Sequence, residues 1–162
     1  MQRFNRVIGV VGSAALIGVA VTGCARGTSH DGTPGISSPG AYVQVPTSTG
    51  AATPGYLDLQ NNGAADALIS VTSSVGGTVT LRAPDGRSGD AESFRAVSSI
   101  PLPADKTTEM DPDSYHLLLT GEGPMRDGKD IQLTLHFAHA QPLTIYAIVT
   151  NPQNGGSSYF LN

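Results

Sequence analysis

Four histidines, three methionines and one cysteine in 162 residues are the side chains that could hold a soft or borderline metal through nitrogen or sulfur. His116 is the most suggestive of them, because it alone lies inside a strongly apolar run, S-Y-H-L-L-L-T over 114–120, directly after the turn signal Asp111-Pro112-Asp113. Seven residues are too few for a stable helix, so the run reads as a strand. Alternation then puts His116 and Leu118 on one face, and Tyr115, Leu117 and Leu119 on the other. His136 and His139, three apart at the end of another strand-like run, are a second donor pair if the chain turns there. Met110 and Met125 flank the His116 segment, with Met125 expected in an exposed loop. The metal candidates are therefore His116 first, with His136, His139, Met110 and Met125 as alternates. The competing reading of His116 is a strand histidine hydrogen-bonded at a sheet surface, and His30 reads as solvated.

Other chemistries find no foothold. No Gly-rich segment continues as G-K-[ST] into a helix, so no phosphate loop is present, and no Gly-x-Ser-x-Gly elbow occurs. Asp111 with Asp113, and Asp127 with Asp130, lack the density of oxygen donors that a calcium loop uses and read as turn residues. The chain is read as a binding protein and not an enzyme.

The elements that would position these residues are strands throughout. Runs of alternating apolar residues at 41–45, 55–60, 66–73, 78–82, 92–97, 106–110, 114–120, 131–137 and 142–149 are separated by turn signals such as Asn61-Asn62-Gly63 and Gly76-Gly77. Ile100-Pro101-Leu102-Pro103 reads as an edge or an extended connector, because proline donates no ladder hydrogen bond. The clearest alternation is Ile131-Gln132-Leu133-Thr134-Leu135-His136-Phe137, with Ile131, Leu133, Leu135 and Phe137 facing in. About nine short strands over about 110 residues predict an all-β sandwich.

The N-terminus reads as an export signal. Arg3 and Arg6 precede an apolar stretch that ends in Val21-Thr22-Gly23-Cys24, too short and too rich in glycine for a transmembrane helix. Gly23-Cys24 resembles the bacterial lipoprotein signal, in which the cysteine is lipidated; Cys24 is the only cysteine, which removes disulfides and cysteine-based metal sites from the folded part. The expected organisation is signal peptide 1–23, flexible tether 24–40, β-sandwich 41–150 and tail 151–162. Cleavage before Cys24 leaves seven Lys and Arg against 13 Asp and Glu, a net charge of −6. With no basic cluster and no tryptophan, nucleic-acid binding is not expected, and membrane attachment must come from the lipid.

From about residue 42 to 149 the chain resembles the periplasmic copper chaperones of the PCu(A)C family and their actinobacterial lipoprotein relatives. The stretches that carry the likeness are Gly55-Tyr56-Leu57-Asp58-Leu59-Gln60-Asn61, Ile100-Pro101-Leu102-Pro103-Ala104, Tyr115-His116-Leu117-Leu118-Leu119 and Asp130-Ile131-Gln132-Leu133-Thr134-Leu135-His136-Phe137. The resemblance implies a cupredoxin-like Greek-key β-sandwich, lipid-anchored on the outer face of the bacterial cytoplasmic membrane, that passes Cu(I) towards an envelope oxidase. It also implies a ligand set of two histidines and two methionines, soft donors that suit Cu(I). In this chain the final histidine is His116, while Arg82, Phe94 and Leu118 stand at the other three positions. A guanidinium is always charged and never ligates. The alternative is therefore a degenerate member that has become a protein-interaction or structural module of the envelope.

Overall fold

The computed structural model describes residues 35–86 and 94–151. The export signal, Cys24, His30 and the tail from 152 lie outside the described residues. All regular structure among the described residues is β: β1 (Ile36–Ser37), β2 (Ala41–Gln44), β3 (Thr53–Asn61), β4 (Asp66–Ser73), β5 (Thr78–Pro84), β6 (Phe94–Ala96), β7 (Ile100–Leu102), β8 (Lys106–Met110), β9 (His116–Thr120), β10 (Asp130–Phe137) and β11 (Leu143–Thr150).

These strands form one hydrogen-bonded path, β6-β5-β9-β3-β2-β11-β10-β4-β7, with β1 and β8 both joined to β3. All pairs are antiparallel except β2 with β11, which is parallel. The nine-residue β3 is the hub. One edge pairs Thr53, Pro54 and Gly55 with β9 and then Leu57 to Asn61 with β8; the other edge takes β2 and β1. Gly55 sits at the crossing because a Cβ there would come 3.1 Å from both Val43 Cγ2 and Leu119 Cδ1. Asn61 ends the strand with a buried amide that donates to the carbonyls of Ala64 and Leu102, while its Oδ1 accepts from Gly63 N at 3.1 Å.

The two halves of the path close over one core. Leu57, Leu59, Leu81, Leu117 and Leu119 from the first half pack in one cluster with Leu68, Leu133, Leu135 and Val149 from the second. Each fully buried leucine contributes roughly 1.5–3 kcal/mol. The expected inward face of β10 is observed: Ile131, Leu133, Leu135 and Phe137 are all buried.

Eleven short strands stand where about nine were expected. One of the additions is β7, in which Pro101 is tolerated because, among the described residues, the strand pairs only with β4, while the Pro101 carbonyl accepts from Thr108 Oγ1. The other, β1, lies within the stretch read as tether: Ile36 and Ser37 pair with Asn61 and Gln60, and Asn62 N donates to Gly35 O. Backbone pairing onto a completed neighbour needs little apolar side chain, so composition conceals it.

Candidate functional site

The register of three ladders builds one row of side chains across the sheet. Tyr42 on β2 is paired with Tyr56 on β3, and Arg82 on β5 is paired with His116 on β9. Continuing the β3–β9 register beyond Gly55 and Leu117 sets Tyr56 beside His116. The row thus runs Tyr42, Tyr56, His116, Arg82, on the face opposite the core leucines Leu57, Leu81 and Leu117. Ring centroids lie 5.0 Å apart for Tyr42 and Tyr56 and 6.1 Å for Tyr56 and His116. Phe94, at the start of β6, turns an edge towards the imidazole at 4.3 Å and 74°. The Arg82 guanidinium reaches back along the same strand pair and donates through Nη2 to the Phe94 carbonyl.

Arg82, Phe94 and His116 are therefore one constellation. Leu118 follows two residues along β9 on the same face, opposite Thr80 and Pro54. His116 is buried, and not the sheet-surface histidine of the simpler reading, because Tyr56 and Phe94 cover it. Its Nδ1 makes no hydrogen bond of good geometry, and neither does the buried Nε of Arg82. Burial lowers the imidazole's pKa; the nearby Ser114 backbone works against this, and the Arg82 charge lowers it further. The ring is thereby held neutral.

The alternate donors do not join this row. Met110, 2% exposed, and Met125, 8% exposed, are both members of the hydrophobic core, so Met125 does not offer sulfur from an exposed loop. Apolar thioether stems fill gaps between strands readily, which is why a loop methionine ends inside. His136 lies on β10 opposite Ser70, half-buried on the outer face. His139, three residues on, turns its Nδ1 to Asp66 Oδ1 at 3.1 Å with 74% of its side chain exposed. Among the described residues no three His, Cys, Asp or Glu side chains gather as a metal-binding group. One imidazole beside a guanidinium does not fit Cu(I), which needs soft donors and is repelled by a fixed positive charge.

Of the acid pairs, the first serves a turn, whereas in the second Asp127 ties down the distant backbone at Asn151 and Asp130 begins β10. Asp111 Oδ1 accepts from Asp113 N at 2.8 Å, and Asp127 Oδ1 accepts from Asn151 N at 3.0 Å. Three further residues escaped notice in the sequence. Tyr56 stood in a quoted stretch, but its place beside His116 depends on register. Asp66 and Glu122 are buried acids. Burial would raise the Asp66 carboxyl, but donors from Ala140, Ala67 and His139 outweigh it and hold the group below its ordinary value. Glu122, set between Gly121 and Gly123, has both oxygens buried without a hydrogen bond of good geometry; burial raises its pKa, and the nearby Ser73 hydroxyl offsets part of this. Gly77, at φ 73°, makes room for it, since a Cβ there would lie 2.8 Å from Glu122 Cδ.

Solved structures share this fold. The copper-bound PCuAC domain from PmoF2 matches at 23% identity over 72% of this chain and 93% of that domain, with a TM-score of 0.59. The apo PCuAC domain from PmoF1 matches at 18% identity over 72% and 94%, with a TM-score of 0.60. CuI-DR1885 from Deinococcus radiodurans, solved in solution, matches at 25% identity over 69% and 76%, with a TM-score of 0.56. No curated protein matches the chain in sequence. Residues 36–149 match the family described as "Putative lipoprotein LpqE-like", and the chain belongs to this LpqE-like family.

Proposed function

We propose that this protein is a non-enzymatic lipoprotein of the bacterial cell envelope, anchored through Cys24, in which the copper-chaperone fold has become a module that works by binding another molecule. The observation that carries the reading is the Arg82 guanidinium on the cross-strand partner of His116, tied to the Phe94 carbonyl. A fixed cation and an aromatic edge now occupy the neighbourhood in which a Cu(I) site would need its remaining donors. The domains of this fold that are described as copper-bound, from PmoF2 and from Deinococcus radiodurans, support a common scaffold.

A second reading has one specific support. The His116 imidazole is neutral and its Nδ1 makes no hydrogen bond of good geometry, with the Ser114 backbone nearby, so a lone copper contact there would need its other donors from an envelope oxidase. Titrating the mature protein with Cu(I) against a competing chelator separates the two. The interaction reading expects no stoichiometric binding tighter than about micromolar, and no change in His116→Ala. Tight binding abolished by His116→Ala would establish the chaperone instead. For the anchor, Cys24→Ala is expected to move the protein from the membrane to the aqueous fraction; continued attachment would contradict lipidation.

A further inference from the structure

We propose that the pocket formed by Arg82, His116 and Phe94 is a receptor for a single carboxylate group. The inference rests on the reading that the pocket no longer holds copper, and names what it takes instead. Two nitrogens on register-paired strands, Arg82 Nε and His116 Nδ1, are buried without a hydrogen bond of good geometry. The guanidinium makes one hydrogen bond, to the Phe94 carbonyl, and among the described residues no carboxylate pairs with it. A buried donor left unmet costs about 1–3 kcal/mol, so a ligand that supplies lone pairs to Arg82 Nε, and to His116 Nδ1 in the tautomer that carries the proton there, gains that much. A cation has no lone pair to give; an anion does.

Shape narrows the anion to a planar one. The guanidinium is a flat fork that receives two carboxylate oxygens side by side, and Arg82 is half-buried, with its Nε covered and its Nη2 on the Phe94 carbonyl. Phe94 and Tyr56 flank the imidazole and wall the pocket with apolar surface, which strengthens a charge-assisted pair by excluding water. The carboxylate comes either from a small organic acid or from an acidic side chain or chain end of a partner protein.

The test follows the Arg82 Nε–Hε resonance of the mature protein by NMR while sodium acetate, or a short peptide with one glutamate between apolar residues, is added against sodium chloride of equal ionic strength. A saturable shift is expected with the carboxylates and not with chloride. Peptide binding at least tenfold tighter than acetate assigns the site to a protein partner, and equal affinity assigns it to a small acid; either result supports the receptor. Arg82→Lys keeps the charge without the fork and is expected to weaken binding about tenfold, and His116→Ala, read at the same Arg82 resonance, to weaken it severalfold. Absence of a saturable shift with both ligands, or unchanged affinity in a folded Arg82→Lys, overturns the proposal. Cu(I) titration of the same sample reports on the preceding reading separately, because it is followed against a chelator and not at Arg82.

Discussion

His116 and His139 are the same side chain in opposite company. His116 is buried between two aromatic rings and faces a guanidinium; His139 stands out at the end of β10 with its Nδ1 held by the buried carboxylate of Asp66. A carboxylate behind an imidazole fixes its tautomer, the arrangement found behind most ligating histidines. The guanidinium near His116 adds to the lowering of its pKa that burial begins. What each histidine offers is thus decided by a residue far away in sequence, 34 positions for Arg82 and 73 for Asp66.

The largest effect in this comparison is expected at Asp66. Its carboxylate accepts from the backbone N–H groups of Ala67, His139 and Ala140. Asp66→Ala leaves these donors unmet and should destabilise the fold by about 3 kcal/mol or more, whereas His139→Ala, which removes an exposed ring, should cost under about 1 kcal/mol. Chemical denaturation checks both, and equal losses would show that the imidazole, not the backbone, is what Asp66 serves.

The next effect is on pH dependence. The folded pKa of His116 lies below the ordinary 6.5, so the unfolded chain binds the extra proton first, and stability that is full above about 6.5 is lost as pH falls through the lower folded value. Asp66, also depressed, adds a loss at lower pH, below its ordinary 3.8. Glu122 acts in the opposite sense. Its pKa is raised above 4.5, so its contribution is present below that value and is lost as pH rises through the folded one. Glu122→Gln should therefore remove the loss that sets in as pH rises above about 4.5 and leave the losses on falling pH in place. An unchanged loss on rising pH would place the charge elsewhere.

The smallest effect is expected from Arg82→Met. Removing the cation should raise the His116 pKa, read by NMR titration of the imidazole, yet leave it below its ordinary value because burial, the larger cause, remains. A pKa that returns fully to the ordinary value would make the charge, and not burial, the dominant cause.

The sandwich was legible because strands announce themselves by alternation. Ile131, Leu133, Leu135 and Phe137 carried the inward face of β10 in plain view, and the turn at Asn61-Asn62-Gly63 bounded β3. Arg82 and His116 were recognisable as a pair of positions only through the spacing of a known family, and their contact is a matter of register that single strands do not record. Met125 misled because loop position was taken to mean exposure, while the core claimed its side chain. Tyr56, Asp66 and Glu122 were invisible for a related reason. Each is buried by partners from distant strands or turns, and burial of a polar side chain leaves no periodic trace.

Replacing Arg82 by His, Phe94 by Met and Leu118 by Met in one protein, then titrating with Cu(I) against a competing chelator, measures the central claim most directly. If the scaffold keeps the place of a copper site and those three side chains deny it donors, the triple variant binds one Cu(I) at least a hundredfold more tightly than the natural sequence. A folded triple variant that binds no better than the natural sequence, or a natural sequence that already binds as tightly, would contradict it.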